Sequence, residues 1–522
     1  MEFSAENLLN LACRELPVVK RAIDESGDIP LENYLRRLFT GKKSTFQPVD
    51  DLLKVIFEYT APLLGESVAN LVCRDIEECP LVLTANHLGV DYFSHSVQGS
   101  LLFSLYSRAA GLKTRTVPVF ACGNIPLDNA TYPQGVLFYM VNESDIGTLP
   151  KKMPIFPNRL RRSLVSVSRG FDESMIDRAT KRSLQMAAGN QVDPQLIGPL
   201  KTILQEDYGD PEVLALNTYS DQSVKVNHQI WRRLFQNPEN APHLVSLELE
   251  KIVGMLLDYD LENPQSLIWQ IMFDVGIREN VLKQLNGERA CWDLDELRNR
   301  LEIDKDVNKY GPANGCGTIF FWGVNPAGRR VPLHLGTVAG DLDQLVGCDE
   351  KNNILTVPFT PMGIIEGLKS GKLLPSLFTC FTVLSFARGL ECVGGYFQSE
   401  YLGTMQRAIF SALKKSRISH DAAQKIAGVR SDLYLSGMLS VMTSMGNNGR
   451  IAPAGPLEII AGGGLSMEDI DKMMALSVRD AHLAGLIEII PDAVMPNTLD
   501  SNWKHRLALD CSCLLSEKVI IK

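Results

Sequence analysis

The chain has 522 residues, of which 45% are hydrophobic and 22% charged, the balance of a globular protein with a large interior rather than of a disordered one. Its formal net charge of -9 disfavours a protein whose task is to cover nucleic-acid phosphates and leaves small molecules as the expected partners. The 11 cysteines are odd in number and include no CxxC pair, which argues against a disulfide framework and against a zinc ribbon.

The first residues, Met1-Glu2-Phe3-Ser4-Ala5-Glu6, form no basic leader followed by an apolar run, so a cytoplasmic protein is expected. Residues 6–16, 31–39 and 49–64 carry apolar side chains at three-and-four spacing and predict an N-terminal helical cap over 1–75. Pro80-Leu81-Val82-Leu83-Thr84-Ala85 is a continuous apolar run, the pattern of a strand buried on both faces. A helix over 91–108 and a strand over 115–121 complete a βαβ unit, so 76–172 reads as the first part of an α/β core. Residues 173–290 read as a helical insertion, broken at Asp210-Pro211, Asn237-Pro238 and Asn263-Pro264. The second part of the core, 291–522, begins with strands over 317–324 and 330–335 joined by the turn Asn325-Pro326-Ala327-Gly328.

The uncharged stretch 373–387 lies between Lys372 and Arg388, contains Pro375, and falls short of the ~20 residues that span a bilayer, so it predicts a buried helix. No fixed-period repeat is visible. The fold class expected is α/β, a mainly parallel sheet with the helical cap and a large helical insertion.

Asn86 and His87 follow the first buried strand, where parallel sheets place their ligands. If a helix starts near Leu88, His87, Asp91 and His95 share one face of its first two turns. As an acid/base pair, Asp91 would orient His87 to take a proton from a hydroxyl or amine. As an alternative, His87, Asp91 and His95 would hold a metal ion for hydrolysis. His87 and Asp91 are equally read as ordinary helix-terminus residues, and a third reading of the chain is a non-catalytic binding or assembly protein whose helical insertion, at about 173–286, docks a partner.

Asn86-His87 with Asp91 resembles the Asn-His-x4-Asp signature of glycerolipid-type acyltransferases, with three residues rather than four between His and Asp. Tyr132-Pro133-Gln134-Gly135 looks faintly like that family's Phe-Pro-Glu-Gly motif, without its acidic residue. His87-Leu88-Gly89-Val90 resembles the His-x-Gly-His loop of class I nucleotidyl transferases and aminoacyl-tRNA synthetases, lacking its last histidine. Gly394-Gly395-Tyr396-Phe397-Gln398 and Lys414-Lys415-Ser416-Arg417-Ile418-Ser419 loosely fit the same family, which implies charge stabilisation by His87 and Lys415 and a substrate contact at Gln398. The lysines equally suit the end of a solvated helix.

Asn124, Asp128, Asn129 and Thr131 crowd the loop after the second strand, on the same predicted edge as His87. They are candidate pocket residues and also ordinary turn formers. Near the C-terminus, 457–461 predicts a strand, Gly462-Gly463-Gly464 a turn, and Ser466 with Asp469 a capping-box start to a helix. Locally this is similar to the phosphate-binding loops of several TIM barrels, which implies an anion on Gly462, Gly463, Gly464 and Ser466. The function expected is therefore a transferase that uses His87 and Asp91 on a phosphate- or carboxylate-bearing small molecule, with Asn86, Asn124, Asn129 and Gln398 lining its site. The sequence identifies no cofactor, and metal enters only in the alternative reading.

Overall fold

The structure is a computed structural model; it describes residues 3–40, 50–111, 114–141, 143–302, 316–336, 343–416, 420–445, 449–493, 499 and 501–522. Val49, at the start of the third predicted helix, and Arg417 to Ser419 of the lysine-rich segment lie outside the described residues.

Five strands form the central sheet: β1 (Leu81–Leu83), β2 (Thr116–Ala121), β3 (His243–Glu248), β4 (Glu391–Gly395) and β5 (Tyr434–Ser436). Their spatial order is 3-2-1-4-5 and every pair is parallel. This is the doubly wound order, in which the chain runs outward on one side of β1 and then returns to extend the other. β1 and β2 are wholly buried, as the apolar runs require. The smaller sheets are mostly antiparallel, including the expected hairpin of Phe321–Val324 with Arg330–Pro332.

Helices Ala5–Glu15, Pro17–Ser26, Leu31–Thr40, Asp50–Leu64 and Glu66–Glu78 precede β1. Their apolar faces join one buried cluster that continues through the sheet to Ile520. Asp75 fastens the last of them, because its Oδ2 accepts from the Arg115 and Thr116 amides, both at 2.8 Å.

Three local expectations are corrected. The stretch 173–290 is rich in helices but contains β3, the edge strand of the central sheet, so it is not wholly helical. Residues 457–461 are not a strand; they belong to the helix Pro456–Ala461, which starts with proline at its first turn and with the Glu458 side chain accepting from the Gly455 amide at 3.0 Å. The stretch 373–387 divides into the strand Leu373–Pro375, the helix Leu377–Phe381 and a π-turn over Thr382–Phe386. Among the described residues no helix is long and apolar enough to cross a membrane.

Candidate functional site

The chain leaving β1 stays extended beside β2, with Leu88 N–H donating to Cys122 O at 2.8 Å and Cys122 N–H to Asn86 O at 3.0 Å. It then turns at Gly89, whose φ of +128° and 2.6 Å virtual Cβ contact with Pro133 admit no other side chain comfortably. Tyr219 OH accepts the Val90 amide at 3.0 Å and Asn227 Oδ1 the Asp91 amide at 2.9 Å. The helix therefore begins only at Ser94. His87, Asp91 and His95 do not share a helical face, which corrects the expected spacing.

The three side chains have separate partners. His87 Nδ1 lies 3.3 Å from Thr131 Oγ1, and Thr131 Oγ1 lies 3.2 Å from Asn129 Oδ1. The Thr131 amide also donates to Asn129 Oδ1, so that oxygen faces Thr131 and accepts its hydroxyl proton. Thr131 Oγ1 is then the acceptor for His87 Nδ1–H, which leaves Nε2 with the lone pair. Burial lowers the His87 pKa to about 4, so the ring is neutral at physiological pH.

Asp91 instead accepts from Ser96 Oγ at 2.6 Å and from the Phe93 amide at 3.0 Å; burial raises its pKa to about 6. No hydrogen bond or ion pair joins it to His87 among the described residues, so the expected His/Asp pair is not formed. His95 faces Glu488, with Nδ1 3.9 Å from Oε2. The metal alternative loses its geometry with this divergence. Among the described residues no group of three His, Cys, Asp or Glu side chains is placed to hold a metal ion.

A cleft of about 430 Å³ opens over the carboxyl ends of β1, β2 and β3. His87, Cys122, Asn124 and Glu250, which follow strands of the central sheet, line it together with Arg289, Trp292, Trp322 and Arg330. Glu250 is fixed by the Gly123 amide at 2.8 Å, the Asn124 amide at 3.1 Å and the Cys122 thiol at 3.2 Å. Burial pushes its carboxyl up and the Cys122 thiol well above its ordinary 9.0, which makes that thiol a poor nucleophile. Arg330 lies over the Trp322 ring at 4.8 Å and Arg289 over Phe397 at 3.7 Å. Glu248, two residues before Glu250, is raised to about 7 by burial.

The remaining sequence candidates fall elsewhere. Asn86 is buried, with Nδ2 donating to Ser100 Oγ at 3.1 Å, and borders a separate space of only about 30 Å³. Gln398 Nε2 donates to Thr84 Oγ1 at 2.6 Å and so latches β1 to the segment after β4. Lys414 and Lys415 are exposed in the last turn of the helix Gln398–Ser416. The amides of Gly462, Gly463 and Gly464 donate to Glu458 O, Ile460 O and Ile459 O at 2.9 to 3.0 Å. They close the C-terminus of a helix, the end whose dipole repels anions, and this corrects the expected anion loop. Ser466 and Asp469 do form the expected capping box. Cys511 is buried and Cys513 exposed.

The chain matches no family model, no curated protein and no solved structure. Its chemistry is therefore read from its own residues. Glu250, Arg289 and Arg330 were not anticipated. The signal for Glu250 was Leu244-Val245-Ser246-Leu247-Glu248-Leu249-Glu250, a strand-like run ending in two carboxylates. The arginines reach the cleft by tertiary folding, and no local pattern marks them.

Proposed function

We propose that this chain is an enzyme of group transfer, in which His87 Nε2 accepts a proton from a hydroxyl or amine of a small molecule held in the cleft. The observation that carries the reading is the neutral His87 at the end of the central strand, bordering that cleft and oriented through Nδ1 by Thr131 and Asn129. The location supports it, since doubly wound sheets bind ligands outside the carboxyl ends of their strands. Arg289 and Arg330 suit a carboxylate or phosphate on the substrate. A bound anion would favour the imidazolium that proton uptake creates, raising the basicity of His87.

In this reading the helices before β1 cap the sheet. The stretch 173–290 supplies Glu250 and Arg289 to the cleft. The net charge supports a small-molecule partner rather than nucleic acid, and eleven free thiols support a reducing compartment such as the cytoplasm.

The test is to incubate the full-length protein with acyl, phosphoryl and nucleotidyl donors and a pool of small hydroxy- and amino-acceptors, and to identify products by mass spectrometry. His87→Ala is expected to lower turnover by about 10²–10⁴-fold, the usual contribution of a positioned base. Thr131→Val should cause a smaller loss by freeing the ring's orientation. Wild-type protein that forms no product with any donor, or a His87→Ala variant of undiminished activity, would overturn the proposal.

A further inference from the structure

Tyr219 opens the helix Tyr219–Arg233 and is buried to 2% exposure. Its hydroxyl accepts the Val90 amide proton at 3.0 Å and donates its own proton to Pro133 O at 2.6 Å. Val90 lies three residues after His87, and Pro133 two residues after Thr131, the side chain that accepts from His87 Nδ1. A phenol can donate once and accept, and here both capacities are used to join the loop that carries the imidazole to the loop that orients it.

Both sides of this junction are tightly built. The Tyr219 ring packs edge-on against Phe156 and Phe171, with centroids 4.6 and 6.3 Å away, and its amide donates to Ser168 O at 3.0 Å. Tyr132, between Thr131 and Pro133, has a φ of +56°, a conformation that residues with a Cβ rarely adopt. Such backbone persists only where its surroundings impose it. Across the junction, a Cβ on Gly89 would meet Pro133 Cβ at 2.6 Å and the Tyr219 hydroxyl at 3.3 Å, so the two loops touch at the point the hydroxyl bridges.

Resting on the reading of His87 as proton acceptor, we infer that Tyr219 is a positioning residue for it. The hydroxyl holds Pro133 to Val90, which keeps Thr131 within reach of His87 Nδ1 and the lone pair on Nε2. Without it, Val90 N–H and Pro133 O lose their shared partner, Tyr132 relaxes toward an unstrained conformation, and Thr131 withdraws. His87 Nδ1–H then has no acceptor to fix it, and the proton redistributes to Nε2. A ring protonated on Nε2 has the wrong tautomer to act as a base there.

The experiment is nitrogen-15 NMR at pH 7 on the full-length protein labelled in its histidine rings, where the shift of each ring nitrogen reports whether it carries the proton. His87 is assigned among the eight histidines by the signals missing from His87→Ala. Wild-type His87 should be protonated on Nδ1 alone. Thr131→Val supplies the spectrum of an unlatched ring, and Tyr219→Phe should reproduce it, with loss of the single Nδ1–H form. Tyr34→Phe is the control for a merely structural role, since Tyr34 OH is a buried phenol donating to Tyr434 O at 2.6 Å. It should lower the melting temperature and leave the His87 signals unchanged.

Tyr219→4-fluorophenylalanine fills the volume of tyrosine without its donor; it should give the same change and serves if the phenylalanine variant fails to fold. Tyr219→4-aminophenylalanine restores a donor and should return the wild-type spectrum. With a turned-over substrate, Tyr219→Phe should lower kcat by about ten- to a hundredfold with KM nearly unchanged. Wild-type His87 signals in the Tyr219 variants overturn the positioning role and leave the proton-acceptor reading standing. A wild-type ring protonated on Nε2 overturns that reading and the inference with it, and a Thr131→Val ring identical to wild type overturns the orientation by Thr131 on which the role of Tyr219 depends.

Discussion

Replacing Glu488 with glutamine should make the protein more stable at alkaline pH and leave it nearly unchanged at pH 4.5. Glu488 sits on the helix Val478–Ala493 with a side chain 6% exposed. Its Oε1 accepts from Tyr139 OH at 2.9 Å and from Ser94 Oγ, while Oε2 accepts no hydrogen bond and lies 3.9 Å from His95 Nδ1. Burial, with Asp91 adding to it, raises the carboxyl from 4.5 to about 7. That rise is worth about 3 kcal/mol at 1.36 kcal/mol per pH unit.

The sign follows from proton counting. Below pH 4.5 the group is protonated in both folded and unfolded chains, and its contribution is fully present. Between 4.5 and about 7 the unfolded chain ionises and the folded one resists, so stability falls as pH rises, and the loss is complete above about 7. Glutamine keeps the Oε1 acceptor and carries no charge. With an unfolding entropy of about 2.1 cal/mol/K per residue, 3 kcal/mol in a chain of this length shifts the melting temperature by about 3 °C. Differential scanning fluorimetry from pH 4.5 to 8.5 should show the variant's advantage growing toward that value. An offset between the two proteins that is constant with pH would refute the reasoning.

Arg388, 3% exposed, holds Asp51 with Nη2 to Oδ2 at 2.6 Å and Asp260 with Nη1 to Oδ2 at 2.9 Å. Arg388→Met leaves the buried Asp260 charge uncompensated and should cost about 3–5 kcal/mol in chemical denaturation, whereas Asp260→Asn should cost less because Asp51 still meets the guanidinium. Gly464 has a φ of +76° and a virtual Cβ only 3.2 Å from Gln236 N. Gly464→Ala should lower stability by about 1–2 kcal/mol. Since these glycine amides are already bonded, the thermal response to phosphate should be the same in this variant and in wild type; a response lost only in the variant would restore the anion loop.

The first half of the βαβ core was legible because β1 and β2 are continuous apolar runs, a pattern that follows from burial on both faces. β3 was hidden because Glu248 leads into the helix Leu249–Glu262 without a break, so helical periodicity absorbed the strand. The segment 457–461 failed for the opposite reason, since a short apolar run does not distinguish strand from buried helix. At the site, the rule that polar residues after a parallel strand line its ligand pocket brought His87, Asn124 and Asn129 into view. The Asp91 pairing failed because it assumed helix where Tyr219 and Asn227, more than a hundred residues downstream, hold the backbone in a loop. Gly89 carried a local warning, as glycine at that point permits a turn no other residue favours.

The strand order also has a consequence during synthesis. β1 pairs on one side with β2, only some thirty residues later, and on the other with β4, with Leu83 opposite Val393. At about 5–20 residues per second, a ribosome needs roughly 15–60 seconds to make the intervening chain. For that interval the nascent sheet exposes the hydrogen-bonding edge of its first strand. Trigger factors or holdases that shield strand edges should therefore govern the yield of this protein more than the stability of the finished fold does.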